Sequence, residues 1–336
     1  MRIFLILLVI SGSFLLERYY KLSSQPFLSN FRQLHSDYFS LFDTKIKLNS
    51  QHLMHFNYDI KDCIFRNYTT TSAGGAIFVY ERQVMVIIDS CFFILCTATI
   101  NGGAVSITSD QLSMSNSFYS KCVCPGVIYG GQSFYVDTYS MNCTLVSMDK
   151  CPENLKENGF ELLIARQGIQ MFSMINSTNN IATHYASGLL SGESKRFKLI
   201  YGNFVNNSSP NHILALTHIR PDDILKYVNL VHNNVTEDSL IFLSGSCAVF
   251  RNFIIFGNTG TFVCHQPLYG YVYFVLKDSK TDLGRTELGS VQGLMKEYSV
   301  AFNANDLKPI SFPNILILNS SNLHETERFK LGELTE

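Results

Sequence analysis

The chain of 336 residues contains no tryptophan, and charged residues make up only 16% of it. Soluble globular domains carry about 25% charged residues, so this composition disfavours a surface built from charged helices. The formal net charge of −1 provides no overall attraction to nucleic acid or to acidic lipid. We therefore expect no nucleic-acid partner, and a membrane contact only through the N-terminal segment if that segment is retained.

Long apolar runs are missing except at the N-terminus. The uncharged run Ile3–Leu16 follows Met1-Arg2 and ends at Glu17-Arg18. It is shorter than the about 20 residues that a membrane-spanning helix needs, and it is typical of the core of a signal peptide. We expect residues 1–24 to be a signal peptide, with a short N-terminal anchor as the alternative. Either interpretation predicts a secreted or cell-surface protein.

The sequence also lacks a G-x-S-x-G motif, a phosphate-binding loop and a dinucleotide fingerprint. The paired acids Asp222 and Asp223 follow a proline, a pattern more typical of a turn or a helix cap than of catalysis. Arg196 and Lys198 would share one face of a strand, where they would bind an anion or form a solvated edge. The sequence therefore predicts no catalytic residue, no cofactor and no metal ligand.

The first half of the chain instead contains a repeat. "DCIFRNYTTTSAGGAIFV" (62–79) and "SCFFILCTATINGGAVSI" (90–107) align at a spacing of 28 residues, which matches Cys63 with Cys91 and Phe65 with Phe93. A degenerate third row, "NSFYSKCVCPGVIYGGQSF", covers 116–134. Each row has a glycine pair, which permits a positive φ or a close backbone approach at a corner. The pairs are Gly74-Gly75, Gly102-Gly103 and Gly130-Gly131.

The second half repeats apolar segments that end in asparagine. The asparagines in equivalent positions are Asn180, Asn207, Asn234 and Asn258, which are 27, 27 and 24 residues apart. A period in the mid-twenties indicates a solenoid, and short β-branched or aromatic runs between turn residues indicate strands. We predict an all-β, right-handed, single-stranded parallel β-helix of the pectate-lyase-like type over residues 25–265. The last coils, a cap and a polar tail are expected in 266–336, with a strand within Tyr269–Leu276.

Stacking of equivalent residues about 4.8 Å apart has consequences that can be checked. Phe65 is expected to pack on Phe93, Gly75 to lie one strand spacing from Gly103, and the asparagines to form a ladder at turns. The same spacing lies within the disulfide range, so two inter-coil cysteine pairs are candidates, and a ladder of buried free thiols is the alternative. The candidate pairs are Cys63 with Cys91 and Cys96 with Cys122. The total of nine cysteines leaves at least one unpaired within a monomer.

Asn-x-Ser/Thr sequons add support for the secretory route. Candidate N-glycosylation sites are Asn67, Asn142, Asn176, Asn206, Asn207, Asn234 and Asn319. Asn206 and Asn207 are adjacent, so only one of the two is expected to carry a glycan.

The combination of C-x-F, a later Cys or Asn and then G-G-A-[IV] resembles the repeats of polymorphic outer-membrane proteins of the chlamydial type. It is more similar still to the expanded sets of β-helix surface proteins in protist parasites such as trichomonads. The resemblance covers about residues 62–131 and continues more diffusely to about 264. It implies a binding, adhesion or structural module that contacts a host or matrix protein or glycan. A polysaccharide-active lyase or hydrolase on the same scaffold is the alternative.

Overall fold

The computed structural model describes residues 31–35, 46–48, 57–125, 130–152, 161–183, 186–192, 195–220, 222–245, 247–260, 262–265, 273–277 and 279–282. This part of the chain consists of strands and turns, with no helix and so none suited to crossing a membrane. The strands are β1 (Phe31–His35), β2 (Ile46–Leu48), β3 (Asn57–Lys61), β4 (Ile64–Arg66), β5 (Thr69–Thr70), β6 (Ile77–Tyr80), β7 (Met85–Asp89), β8 (Phe92–Ile94), β9 (Thr97–Ala98), β10 (Val105–Ser120), β11 (Gly131–Asp149), β12 (Glu161–Arg166), β13 (Ile169–Thr178), β14 (Ala186–Gly192), β15 (Arg196–Val205), β16 (Ser208–Ser209), β17 (His212–Ile219), β18 (Ile224–Val231), β19 (Asn234–Val235), β20 (Ser239–Gly245), β21 (Cys247–Arg251), β22 (Ile254–Phe256), β23 (Phe262–His265), β24 (Tyr273–Lys277) and β25 (Lys280–Thr281).

Every pairing between these strands is parallel. Strand β4 lies on β8, β8 on the end of β10, and this order continues through β11, β13, β15, β18, β22 and β25. Each turn of the solenoid, here called a coil, therefore hydrogen-bonds to the next. The predicted parallel β-helix is confirmed, and β24 overlaps the strand predicted at Tyr269–Leu276.

Residues in the left-handed conformation bend the chain before and after β4, and before and after the equivalent segment of each later coil. Two columns of equivalent residues have φ between 47° and 61°. The first column comprises Asp62, Ser90, Asn116, Leu145, Met174, Tyr201, Tyr227 and Asn252. The second comprises Asn67, Leu95, Lys121, Lys150, Asn179, Asn206, His232 and Gly257. Because leucine, methionine and tyrosine rarely adopt this conformation alone, the stacked coils, rather than local propensity, hold these bends.

The core is a stack of apolar side chains along the solenoid axis. The rings of Phe65 and Phe93 lie 5.0 Å apart at an interplanar angle of 6°, and Tyr119 continues the stack 4.7 Å from Phe93. All three side chains are buried. The predicted contact between Phe65 and Phe93 is confirmed. Since a single coil buries little of its apolar surface, stability comes mainly from contacts between neighbouring coils.

Candidate functional site

The first two glycine pairs form equivalent corners in adjacent coils. Gly74 and Gly102 have φ of 62° and 61°. The amide of Gly75 donates to the carbonyl of Gly103 at 3.1 Å, so the predicted neighbourhood of these two residues is confirmed. A Cβ on Gly75 would lie 2.0 Å from the carbonyl oxygen of Gly103. The pairs therefore combine a left-handed turn with a close approach of two backbones, and they are structural.

The third glycine pair does not continue these corners as the sequence predicts. Val105 is paired with Phe134, a step of 29 residues rather than 28, so Gln132 takes the place of Gly103 in the next coil. Neither Gly130 nor Gly131 has a positive φ. The side-chain oxygen of buried Gln132 accepts a hydrogen bond from the amide of Cys124 at 2.8 Å. The extra residue in this coil is the reason for the shift.

The asparagine ladder is present, but its third member is Asn233 rather than Asn234. The amide of Asn180 donates to Oδ1 of Asn207 at 2.9 Å, that of Asn207 to Oδ1 of Asn233 at 3.0 Å, and that of Asn233 to Oδ1 of Asn258 at 2.8 Å. Asn234 is exposed, because Phe204 pairs with Leu230 at a step of 26 residues rather than 27.

The left-handed conformation falls one residue before each ladder asparagine. It is adopted at Asn179, Asn206, His232 and Gly257. The ladder asparagines turn their side chains inward, where each amide group bonds to the backbone of a neighbouring coil. The sequence prediction combined two roles, tolerance of the left-handed turn and hydrogen bonding, that the structure divides between neighbouring residues.

Cysteines continue the same column toward the N-terminus. Sγ of Cys151 accepts from the amide of Cys122 at 3.3 Å, and the amide of Cys151 donates to Oδ1 of Asn180 at 2.9 Å. The thiols of Cys96 and Cys122 donate to the carbonyls of Phe65 and Phe93. The side-chain amide groups of the ladder asparagines donate to backbone carbonyls in the same way in later coils. Thiol and carboxamide thus serve one structural purpose at this corner.

The two candidate cysteine pairs occupy adjacent coils as thiols rather than as disulfides. Cys63 and Cys91 precede the paired residues Ile64 and Phe92, and Cys96 and Cys122 follow the paired strand ends. In the part of the chain that the structure describes, the buried cysteines outside disulfides are Cys63, Cys91, Cys96, Cys122, Cys124, Cys143, Cys151 and Cys264. Burial raises the pKa of the Cys122 and Cys143 thiols. These thiols are therefore protonated at neutral pH and are poor nucleophiles.

The sequons fall into three groups. Asn67, Asn142, Asn206 and Asn234 are exposed. Asn176 and Asn207 are buried and use their amide groups in bonds between coils, so a glycan does not fit there. Burial therefore argues against glycans at Asn176 and Asn207, and in the adjacent pair only Asn206 is exposed. Asn319 and the predicted N-terminal segment lie outside the described residues.

The structure also shows the positions of Asp223, Arg196 and Lys198, the charged residues noted in the sequence. Asp223 is buried and accepts from the amides of Phe197 and Arg220 at 2.6 and 2.7 Å, so it closes a turn as its position after proline predicts. Arg196 and Lys198 both point outward from β15, on either side of buried Phe197. Within the described ranges, no group of three His, Cys, Asp or Glu side chains is arranged to hold a metal ion.

A surface that the sequence did not reveal lies at the corner after β6 and its equivalents. We call it the tyrosine–cation corner, and it comprises Tyr80, Arg82, Tyr135, Asp137, Tyr139, Arg166 and Lys195. The guanidinium of Arg82 lies 4.9 Å from the ring centre of Tyr139 and forms an ion pair of 3.2 Å with Asp137. Lys195 Nζ lies 5.9 Å from the same ring. Arg166 is 5.6 Å from the ring of Tyr135.

Register explains how these residues meet. Tyr139, Gly168 and Lys195 each precede a residue of one paired column, Ser140, Ile169 and Arg196. Gly168 has no side chain, and its φ of 65° disfavours one. The side chains of Tyr139 and Lys195, two coils apart, therefore approach each other across it. Arg82 reaches Tyr139 from the opposite direction along the solenoid.

The corner is exposed and polar, with aromatic surface at its centre. Tyr80 is 68% exposed and Tyr139 is 52% exposed. Tyr135 is half-buried, and this burial raises the pKa of its hydroxyl. The corner thus presents aromatic rings, hydroxyl groups and cations on one face of the stacked coils.

Comparison of the chain with protein-family models, with curated proteins and with solved structures found no match. The class that the fold defines is the parallel β-helix.

Proposed function

We propose that this chain is a secreted or cell-surface binding module, with adhesion to a host or matrix protein or glycan as its role. The observation that carries the proposal is the exposure of Tyr80 and Tyr139 at the tyrosine–cation corner. Tyrosine and arginine dominate the energetics of many binding surfaces, because they offer a large contact area and hydrogen bonds together. Stacked coils hold the backbone of these residues in place, so binding costs little backbone conformational entropy.

The contacts of the corner provide little for hydrolysis or elimination. Glycoside hydrolases generally use two carboxyl groups that flank the scissile bond. Of the carboxylates near the corner, Asp137 forms an ion pair with Arg82, and Glu81 accepts a hydrogen bond from the hydroxyl of Tyr58. The arrangement therefore favours binding over the alternative of a polysaccharide-active enzyme.

Tyr139→Ala is expected to reduce binding of the purified chain to cell or extracellular-matrix preparations at least about fivefold, because it removes the ring that Arg82 and Lys195 share. Equilibrium binding of the fluorescently labelled chain provides the measurement. Tyr227→Ala is the matched control, since Tyr227 is 36% exposed at a different corner. Equal loss in both variants, or no loss in Tyr139→Ala, would contradict this assignment of the binding surface.

The secretory route predicts a specific glycosylation pattern. Expression in a secretory eukaryotic host should yield a chain cleaved within residues 1–24 and modified at Asn206, while Asn207 and Asn176 remain unmodified because both are buried. N-terminal sequencing and peptide mapping by mass spectrometry measure both features. A product that is uncleaved and carries no glycan would contradict the proposal that the chain is secreted or displayed at the cell surface.

A further inference from the structure

We propose that the tyrosine–cation corner binds an anionic glycan, that is, a linear polysaccharide that carries carboxylate or sulfate groups. The inference rests on the proposed function, because it specifies the ligand class of the same surface. It depends on three features of the corner: its local charge, the direction in which its groups are aligned and its hydroxyl groups.

Local charge is the first feature. Residues 193–200 contain three cations, Lys195, Arg196 and Lys198, and one carboxylate, Glu193, which gives this segment a net charge of +2. Three carboxylates near the corner already have partners: Asp137 pairs with Arg82, Glu81 accepts from the hydroxyl of Tyr58 at 2.6 Å, and Asp223 accepts from the amides of Phe197 and Arg220. The segment that contains Lys195 therefore carries a net positive charge, although the whole chain has a net charge of −1.

Alignment is the second feature. Arg82, Tyr139 and Lys195 follow one another along the solenoid axis, with the ring between the two cations. Successive coils are about 4.8 Å apart, so this row extends over several coils and matches an extended chain better than a small molecule. A polysaccharide lying along the axis would place its acidic groups at the cations and the apolar face of a sugar against exposed aromatic surface.

Hydroxyl groups are the third feature, and they favour a glycan over a nucleic acid. Tyr80, Tyr135 and Tyr139 bring three phenolic hydroxyl groups to the corner, and tyrosine hydroxyls are protonated at neutral pH. A glycan alternates hydroxyl groups with its acidic groups and uses both kinds of partner. Nucleic acid carries a charge on every nucleotide, and its affinity depends on neutralising many phosphates at once. The corner has only a few cations, and the whole chain has a net charge of −1, so the chain cannot neutralise many phosphates at once.

The experiment measures binding of the full secreted chain to immobilised polymers by biolayer interferometry. Heparin carries sulfate and carboxylate, hyaluronan carries carboxylate alone, dextran is neutral, and a single-stranded DNA oligonucleotide is the second polyanion. We expect binding to heparin, to hyaluronan or to both, none to dextran, and a loss of roughly tenfold in affinity between about 50 mM and about 300 mM NaCl. Binding to heparin alone assigns sulfate as the recognised group, and binding to both assigns carboxylate.

The variant that tests the site is Lys195→Gln, which removes one exposed cation and leaves a polar side chain that is one bond shorter. We expect a loss of about fivefold to tenfold in affinity for the bound glycan and a weaker salt dependence. Lys121→Gln is the matched control, because it makes the same change in net charge at a different corner. Circular dichroism verifies that both variants fold.

Three outcomes would overturn the inference: equal binding to dextran, binding to DNA at least as tight as to either glycan, or unchanged glycan affinity in Lys195→Gln. The proposed function fails separately, when Tyr139→Ala retains full binding to cells and matrix. If Tyr139→Ala abolishes that binding but no anionic glycan binds, the binding module stands and its ligand belongs to another class.

Discussion

Gly103→Ala is expected to lower the free energy of unfolding by about 4 kcal/mol or more, a cost found only for severe changes in packing or backbone. A Cβ at this position would lie 2.2 Å from the carbonyl oxygen of Gln132 and 2.6 Å from that of Val123. Both are backbone atoms of the neighbouring coil, so neither moves without breaking hydrogen bonds between coils. Urea unfolding followed by circular dichroism provides the measurement.

Gln111→Ala is the control for this change. Gln111 lies on β10, in the same coil as Gly103, and its side chain is exposed. Its effect should stay within about 0.5 kcal/mol, as for most surface substitutions. An unfolding midpoint for Gly103→Ala equal to that of the unmodified chain would show that these corners are not in close contact.

Asn207→Ala should cost about 3 to 5 kcal/mol, because it removes the central member of the asparagine ladder. Oδ1 of Asn207 accepts from the amide and from Nδ2 of Asn180, and its own Nδ2 donates to the carbonyl of Ser177. All of these groups are buried, and each buried polar group left without a partner costs about 1 to 3 kcal/mol. Thermal and urea unfolding of the variant measure the loss.

Two further variants make this prediction specific. Asn207→Cys should recover roughly half of the loss, because Sγ of Cys151 already accepts a backbone amide bond in the same column. Asn234→Ala should change stability by less than about 0.5 kcal/mol, because Asn234 is exposed and outside the column. If Asn234→Ala is the more damaging of the two alanine variants, the ladder follows the sequence spacing and our assignment of Asn233 is wrong.

The comparison of Asn233 with Asn234 shows how far sequence reasoning reached. The recurrence of asparagine indicated a ladder, but the coils advance by different numbers of residues, for example 25 between Leu230 and Ile255 and 29 between Val105 and Phe134. A constant period therefore misplaces individual members by one residue. In a solenoid, that error exchanges an inward side chain for an outward one. The same drift explains why Gln132, and not Gly131, is equivalent to Gly103.

The left-handed columns show a second limit. Asn67, Asn179 and Asn206 agree with the usual residue preference, whereas Leu145, Tyr201 and Tyr227 do not. No local pattern marks the latter as turn residues. The stacking of each coil on its neighbours imposes the bend, and this tertiary effect overrides local propensity.

By itself, the sequence determined that the chain repeats, that its repeats are strands, and that glycine, phenylalanine and asparagine recur in them at nearly constant spacing. These properties are local or nearly periodic, so they are visible without the fold. The tertiary structure decided which residues share a column and which surface they form. Arg82, Tyr139 and Lys195 are separated by whole coils along the chain, and only the parallel register places both cations beside one ring. The tyrosine–cation corner exists because stacked coils convert distance along the sequence into contact along the solenoid.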